Sequence, residues 1–287
     1  MTRIFLLLSF ITLLMSCKKD ELVNVENNKA PNDNTIEDVT YENYVNRTYI
    51  LALGREPDSI ELNSALSVLK ASELDSAARE QFLALVFNNS DYLAHEYELN
   101  KINLLNDLDT QEITNYILIF ESQLADTVNQ AYWPVLIFQR DRLVSLRNAF
   151  GEFTSGTISE AELQRRMCYN YFYEQINMGA SNYVNYTFQN LLKRNPTTAE
   201  LANGILMVNG GNASLFLQAG SSMTDFLNIL TGSSSYYEGQ ILYAYDRYLH
   251  RTATTIEMNT ATQLFLSTND YVKVQKSILS SNEFIGI

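Results

Sequence analysis

Apolar positions recur every three or four residues over most of this 287-residue chain, and alternating Val/Ile/Thr runs closed by tight turns are missing. That period puts the apolar side chains along one side of a helix, so the chain reads as all-α. Prolines stand at 31, 57, 134 and 196. Three of them fall at expected helix boundaries, where a missing N–H and a fixed φ cost least.

Three stretches carry one pattern without gaps: 44–62, 183–201 and 240–258. Self-similarity of this kind predicts repeated supersecondary units. Val45, Tyr49 and Leu53 fall at i, i+4 and i+8, as do Val184, Phe188 and Leu192, then Ile241, Tyr245 and Leu249. Each trio predicts the buried stripe of a first helix. That helix should stop near an arginine: Arg55, Arg194 or Arg251. In two copies a proline follows two residues later and drives its predecessor out of helical geometry. Asp58-x-x-Glu61, Thr197-x-x-Glu200 and Thr254-x-x-Glu257 then have the form of a capping box opening a second helix. A third helix, a polar corner and an aromatic close each unit, at Asn89-Ser90-Asp91-Tyr92, Ser234-Ser235-Tyr236 and Ser281-Asn282-Glu283-Phe284.

The expected architecture is therefore a set of helix–turn–helix–helix units, with a longer-helix insert between the first and second copies. In the insert, Asp109-x-x-Glu112 should cap one helix and Pro134 should start or kink the next. Ser159-x-x-Glu162 should cap a third that ends before Gly179. Met178-Gly179 and Gly210-Gly211 read as breaks, since no phosphate-binding glycine motif occurs. The expected layout is a signal peptide (1–16), a lipidated tether (17–38), repeat 1 (39–98), a helical middle region (99–180), repeat 2 (181–238) and repeat 3 (239–287).

The first residues change the picture from a free body to an anchored one. Met1-Thr2-Arg3 is followed by an apolar run, Ile4 to Met15, then Ser16 and Cys17. The run is too short to span a bilayer, which takes roughly 20 apolar residues, and reads as the core of a secretory signal. Leu14-Met15-Ser16-Cys17 resembles the lipobox of bacterial lipoproteins, and the resemblance implies cleavage before Cys17 and lipid on its sulfur. Lys18-Lys19-Asp20-Glu21 and the Asn-rich stretch after it resemble the export tag of surface-exposed Bacteroidetes lipoproteins. A plain solvated tether has the same composition. The expected location is thus the outer membrane, facing either the cell surface or the periplasm.

Composition narrows the partners. With 20 basic against 33 acidic residues and a formal net charge of −13, no basic face is offered to nucleic acid or anionic lipid. The lipid on Cys17 must therefore supply the membrane attachment. Only Cys17 and Cys168 occur, so no disulfide framework is expected, and Cys168 lies in an apolar helical stripe as a buried, inert thiol. His95 and His250 are the only histidines, and no His/Cys/carboxylate group has metal-ligand spacing. No cofactor, metal or catalytic residue is assigned.

The arginines at 55, 194 and 251 are read as serving the last-turn carbonyls and dipole of the first helix, with an anionic ligand as the alternative. Together with Glu61, Glu200 and Glu257 they define the repeat. Glu96/Glu98 and Glu160/Glu162 are i, i+2 pairs that share no helix face, and read as solvated charge. The 18 tyrosines read as core or groove lining, with exposed rings for sugar or protein contact as the lesser reading. Asp58-Ser59-Ile60, Asp75-Ser76-Ala77 and Asp126-Thr127-Val128 resemble the O-glycosylation acceptor of Bacteroidetes secreted proteins.

Leu53-Gly54-Arg55-Glu56-Pro57, with Ser90-Asp91-Tyr92, resembles a helical domain of unknown function related to phycobilisome linkers, which recurs in tandem in secreted bacterial proteins. Later copies depart from it: Lys193 and His250 replace the glycine, and Ala253 the proline. A second helical family, of planctomycete surface proteins, is similar in its Gly-Arg-x-Pro, its Ser-x-Tyr and a nearby histidine, here His95, but its companion Cys-x-x-Cys-His is missing. Both resemblances imply a helical, extracytoplasmic protein and no particular activity. The function expected is a lipoprotein scaffold that binds a protein or a glycan. The alternative is a carbohydrate-active enzyme with a carboxylate pair in a groove between helices.

Overall fold

The computed structural model describes residues 36–268 and 270–287. The signal segment and Cys17 lie outside the described residues. Within them stand fifteen α-helices, one 3₁₀ turn and one short hairpin, an all-α fold.

The first unit is α1 (Asp38–Leu53), α2 (Ser59–Ala71) and α3 (Ser76–Phe87). A corner at Asn89 then opens α4 (Ser90–Leu105). The stretch expected as an insert holds α5 (Thr110–Ala125), a 3₁₀ turn (Thr127–Tyr132), α6 (Trp133–Thr154) and α7 (Glu160–Cys168). Pro134 lies in the first turn of α6, where its missing N–H costs least. Next come α8 (Tyr171–Ile176), α9 (Ala180–Leu192) and α10 (Thr198–Val208). The last part is β1 (Ala213–Leu215), β2 (Gln218–Gly220), α11 (Met223–Thr231), α12 (Ser234–Leu249), α13 (Thr255–Thr268), α14 (Tyr271–Leu279) and α15 (Asn282–Ile285).

The helix capped by Ser159 does not continue toward Gly179. It stops at Cys168, because the Asn170 amide donates to the Arg166 and Met167 carbonyls while its Oδ1 accepts the Tyr173 N–H. One side chain thus ends α7 and begins α8. Tyr173 is fully buried three residues after this cap, as Tyr92, Tyr236 and Phe284 are after Asn89, Ser233 and Ser281. The corner expected three times is built four times.

The other end of the unit recurs four times as well. α1, α4, α9 and α12 each end on a left-handed residue: Gly54, Asn106, Lys193 and His250, with φ of 72°, 51°, 53° and 53°. Residues 90–173 therefore follow the same grammar, lengthened by α6. α4 runs across the expected boundary at 98/99 and α12 across that at 238/239, because one helix closes a unit and opens the next.

The hairpin was not legible in the sequence. β1 and β2 pair antiparallel, Ala213 with Gly220 and Leu215 with Gln218. The turn residues, Phe216 and Leu217, both hold positive φ, yet neither is the Asn or Gly such a turn favours. Tertiary contact substitutes for turn propensity, since the Phe216 ring lies 6.2 Å from that of Phe188 and Asn203 donates to the Ser214 carbonyl at 2.8 Å.

Two apolar cores result. One gathers residues 41–92 together with 241–285, and the other gathers 97–236. The described body therefore closes on itself. Phe284 meets Tyr44 and Tyr248 edge-on at 6.0 and 6.4 Å, and Arg47 donates to its carbonyl at 2.8 Å. Arg79 donates to Ser280 and Asn282 of the last corner. α4 and α12 each pass from one core into the other.

The left-handed caps can be tested directly. A Cβ on Gly54 would stand 2.5 Å from His95 Nδ1, so Gly54→Ala adds a clash to the left-handed cost of roughly 1–2 kcal/mol. His250 is exposed and holds the same conformation, so His250→Gly should stabilise by up to about 1 kcal/mol. Urea melts of the two variants should move in opposite directions.

Candidate functional site

The residues singled out from the sequence form three matching clasps. Arg55 donates from Nη1 and Nη2 to the two oxygens of Glu61 at 2.7 and 2.8 Å. Arg194 and Glu200 pair in the same way at 2.8 and 2.7 Å, and Arg251 and Glu257 at 2.9 and 2.7 Å. In each, the glutamate also accepts the N–H of the cap residue: Asp58 at 2.8 Å, Thr197 at 2.7 Å, Thr254 at 2.7 Å. The expectation that these arginines serve last-turn carbonyls is corrected. Each guanidinium turns forward, to the opening turn of the next helix, because a bidentate carboxylate outcompetes a neutral carbonyl. The carbonyl each does reach belongs to the residue after it: Glu56, Asn195 or Thr252.

Two further contacts complete the clasps. An aromatic six residues upstream, Tyr49, Phe188 or Tyr245, lies 5.2–5.6 Å from the guanidinium carbon. Asp91 and Glu283, at equivalent corners, accept from Arg55 and Arg251 at 2.7 Å each, whereas the second copy has Ser235 there. The forks that would receive an anion are thus filled by carboxylates of the chain.

Cys168 is fully buried and burial pushes its thiol up to about 12, so it is held as the thiol. His95 packs on Gly54, and burial with the nearby Arg247 lowers it to about 4, so it is neutral. Eleven tyrosines are buried in the cores, while Tyr132 and Tyr186 are exposed. Among the described residues no His/Cys/Asp/Glu group could hold a metal, and no helix is long and apolar enough to cross a membrane.

The carboxylates read as solvated charge are split by the structure, which overturns that reading for half of them. Glu98 pairs with Lys101 at 2.7 Å, and Glu162 with Arg165 and Arg166 at 2.7 and 2.8 Å, on outer faces. Glu96 and Glu160 instead come together where the two cores meet. Glu96 is 1% exposed and accepts from Arg247 at 2.6 Å, while Arg247 also donates to the Leu51 carbonyl. Glu160 opens α7 and accepts on Oε1 from Asn100 at 3.4 Å and Gln164 at 3.3 Å. Gln164 is held in turn by Asn100 and by the Tyr236 hydroxyl, both at 2.9 Å. Spacing carried a signal for this seam. Tyr92, Glu96, Asn100 and Leu104 share the inner stripe of α4 at i, i+4, i+8 and i+12, and all four are buried. A glutamate on a stripe with a closing tyrosine is not a surface glutamate.

Burial, and then the charge of Glu96, pushes the Glu160 carboxyl up to about 8, although the Asn100 hydrogen bond and Arg247 oppose this. A neutral carboxyl at ordinary pH is the cheaper state in a site with no cation of its own.

Glu160 lines a cleft of about 300 Å³, drawn from all four units. Tyr92, Phe153, Tyr236, Tyr237, Phe265 and Tyr271 supply its rings, and Gln240 and Asp270 join Glu160 as polar lining. That volume is at the lower end for small-ligand sites, room for one ring-sized group. A second cleft of about 350 Å³ is lined by Arg142, Arg165, Arg166 and Tyr169, but its arginines are tied to Glu174, Glu162 and Glu152. Its charges are already spent on one another.

What the fold and site define is an all-α protein closed around a polar seam with an aromatic cleft beside it. The chain matches no family model, no curated protein and no solved structure.

Two carboxyl groups should give opposite pH responses. Glu200 is held at about 2 in the fold by Arg194, below its ordinary 4.5, so its stabilisation is present above about pH 4.5 and is lost as pH falls toward 2. Arg194→Ala should cost about 1 kcal/mol near neutrality and flatten that acid limb in thermal melts. Glu160 lies the other way: with a folded value of about 8, its contribution is complete below about pH 4.5 and fades as pH rises through 8. Glu160→Gln should therefore melt a few degrees above wild type at about pH 8–9 and lose that advantage near pH 4.

Proposed function

We infer that this chain is a lipid-anchored lipoprotein of the outer membrane whose helical body is a binding module for a protein or glycan partner. The observation that carries the reading is the cleft where the units meet, lined by six aromatic side chains and by Glu160. Rings with a polar edge, grouped around a small hollow, suit a sugar ring or a projecting side chain of a partner. The lipobox-like Leu14-Met15-Ser16-Cys17 supports anchoring through Cys17, and the acidity of the chain leaves lipid as the means of attachment.

One observation favours a second reading, an extracytoplasmic carbohydrate-active enzyme: Glu160 and Asp270 line the same cleft, and Glu160 holds its proton at neutral pH. A proton-bearing carboxyl and a second carboxyl lining one cleft are the groups glycoside hydrolysis uses. Glu96 takes no part in it, being enclosed with Arg247 away from the cleft lining.

Cys17→Ala should abolish incorporation of labelled fatty acid and move the protein to the aqueous phase on detergent partition; a wild-type chain that stays aqueous and unlabelled refutes the anchor. Pull-down from intact membranes and a glycan array should return a partner that Glu160→Gln weakens. Turnover of a polysaccharide that the same variant abolishes would establish the enzyme instead.

A further inference from the structure

We propose that the cleft is a recognition site for a small organic ammonium ion, held against the rings of Tyr236, Tyr237, Phe265 and Tyr271 with the Glu160 carboxylate as its counter-ion. The inference rests on the reading of this cleft as the place where the body binds, and adds the chemistry of what enters it.

The lining itself selects a cation. Six aromatic side chains and two acidic ones stand among its fourteen lining residues, and no lysine or arginine does. Both acids lack an ion-pair partner among the described residues. Glu160 accepts from two amides, both on Oε1, and no hydrogen bond to its Oε2 is made among the described residues. An anion would meet two carboxyl groups with nothing to neutralise it, and a neutral ligand would gain nothing from a carboxyl group that can take up charge.

The rings are arranged for the same guest. Tyr237 meets Phe265 edge-on at 4.7 Å and Tyr236 at 5.9 Å, while Phe265 stacks on Tyr271 at 5.6 Å. The result is a continuous aromatic wall, and aromatic rings are the surroundings that stabilise an ammonium group. Three of these phenols are also fixed from behind. Tyr236 donates to Gln164, Tyr271 to the Gln240 carbonyl and Tyr92 to Gln275, so the wall is set before any ligand arrives.

Binding is then linked to a proton. The charged groups facing Glu160 are Glu96 on α4 and Arg247 on α12, already paired with each other. Burial raises the phenols of Tyr92, Tyr236 and Tyr271 well above their ordinary range, so they keep their protons. Glu160 is the group left to respond. The protonated carboxyl gives its proton to solvent, the ammonium takes the place of that positive charge, and no covalent bond of the ligand changes.

The test uses the lipidated chain in detergent micelles and calorimetric titration with choline and butylamine, against their neutral counterparts 3,3-dimethylbutan-1-ol and pentan-1-ol. At least one ammonium should bind, about tenfold or more tighter at about pH 8.5 than at pH 6, because the binding-competent carboxylate is scarce at the lower pH. Binding heats near pH 7 should vary with the ionisation enthalpy of the buffer, reporting proton release from wild type alone. Glu160→Gln should lose about tenfold in affinity at the higher pH and all of the pH dependence. The proposal is overturned if neither ammonium binds at millimolar concentration, if the neutral counterparts bind as well, or if pH and Glu160→Gln leave affinity unchanged. A protein or glycan captured by the body without any ammonium binding would sink this inference and leave the binding-module reading standing.

Discussion

A single carboxylate joins the end of one helix to the beginning of the next, and the units are built outward from that junction. Glu61 caps α2 by accepting the Asp58 N–H, and the same carboxylate holds both prongs of Arg55 from the end of α1. A capping box alone fixes where a helix starts. Adding the arginine also fixes the direction from which the chain arrives, since the planar fork admits one approach. Its aromatic neighbour, Tyr49, belongs to the buried stripe of α1, so the clasp is keyed to the core as well as to the turn. The unit spanning 90–173 lacks this device. Asp107 stands where the arginine would, and pairs with Lys101 behind it at 3.2 Å. That unit is also the one that tolerates the added length of α6.

Closure of the units then dictates the polar seam. Because residues 41–92 and 241–285 share one core and 97–236 form the other, α4 and α12 must cross between them. Their inner stripes are apolar at both ends and polar in the middle. α4 runs Tyr92, Glu96, Asn100, Leu104, and α12 runs Tyr236, Gln240, Ala244, Tyr248, with the middle residues at the crossing. Buried polar groups at such a place fix which helix faces which, provided each finds a partner. Glu96 finds Arg247, and Gln164 finds Asn100 and Tyr236. Glu160 has two long amide contacts and no cation. Unmet demand of this kind, sited in a cleft, is a mark of function more than of stability.

What could be read from the sequence was whatever is decided within a few residues. Stripe spacing, the capping boxes at Asp58, Thr197 and Thr254, and the start of α6 at Pro134 are local choices, and the structure makes them as the residues suggest. The fourth corner escaped because Asn170-Tyr171-Phe172-Tyr173 has neither the serine nor the acid of the other corners, and because its helix continues past a break at Asn177 and Gly179. Its signal was the spacing from a cap-forming Asn to a core aromatic, which survives the loss of the surrounding letters. The hairpin escaped because Phe216 is placed by contact with Phe188 against the preference of its turn. Pairing Glu96 with Glu98, and Glu160 with Glu162, compared neighbours in sequence. The meaningful pair, Glu96 with Glu160, is made only when α4 and α7 pack.

The two kinds of glutamate in this chain show why the candidate site lies at the seam and not at the more conspicuous repeated motif. In the clasps every carboxylate has its arginine, its N–H and its exposure to solvent, so a ligand would have to displace contacts already made. Glu160 differs: its strongest influence is desolvation, Glu96 adds a charge of the same sign, and its side chain lines a cleft. Holding the proton relieves the first two, and a cationic guest would relieve them better, because it also meets the rings. A repeated, fully satisfied motif tells how the body is assembled; an acid left without a cation beside a cleft tells where it is prepared to bind.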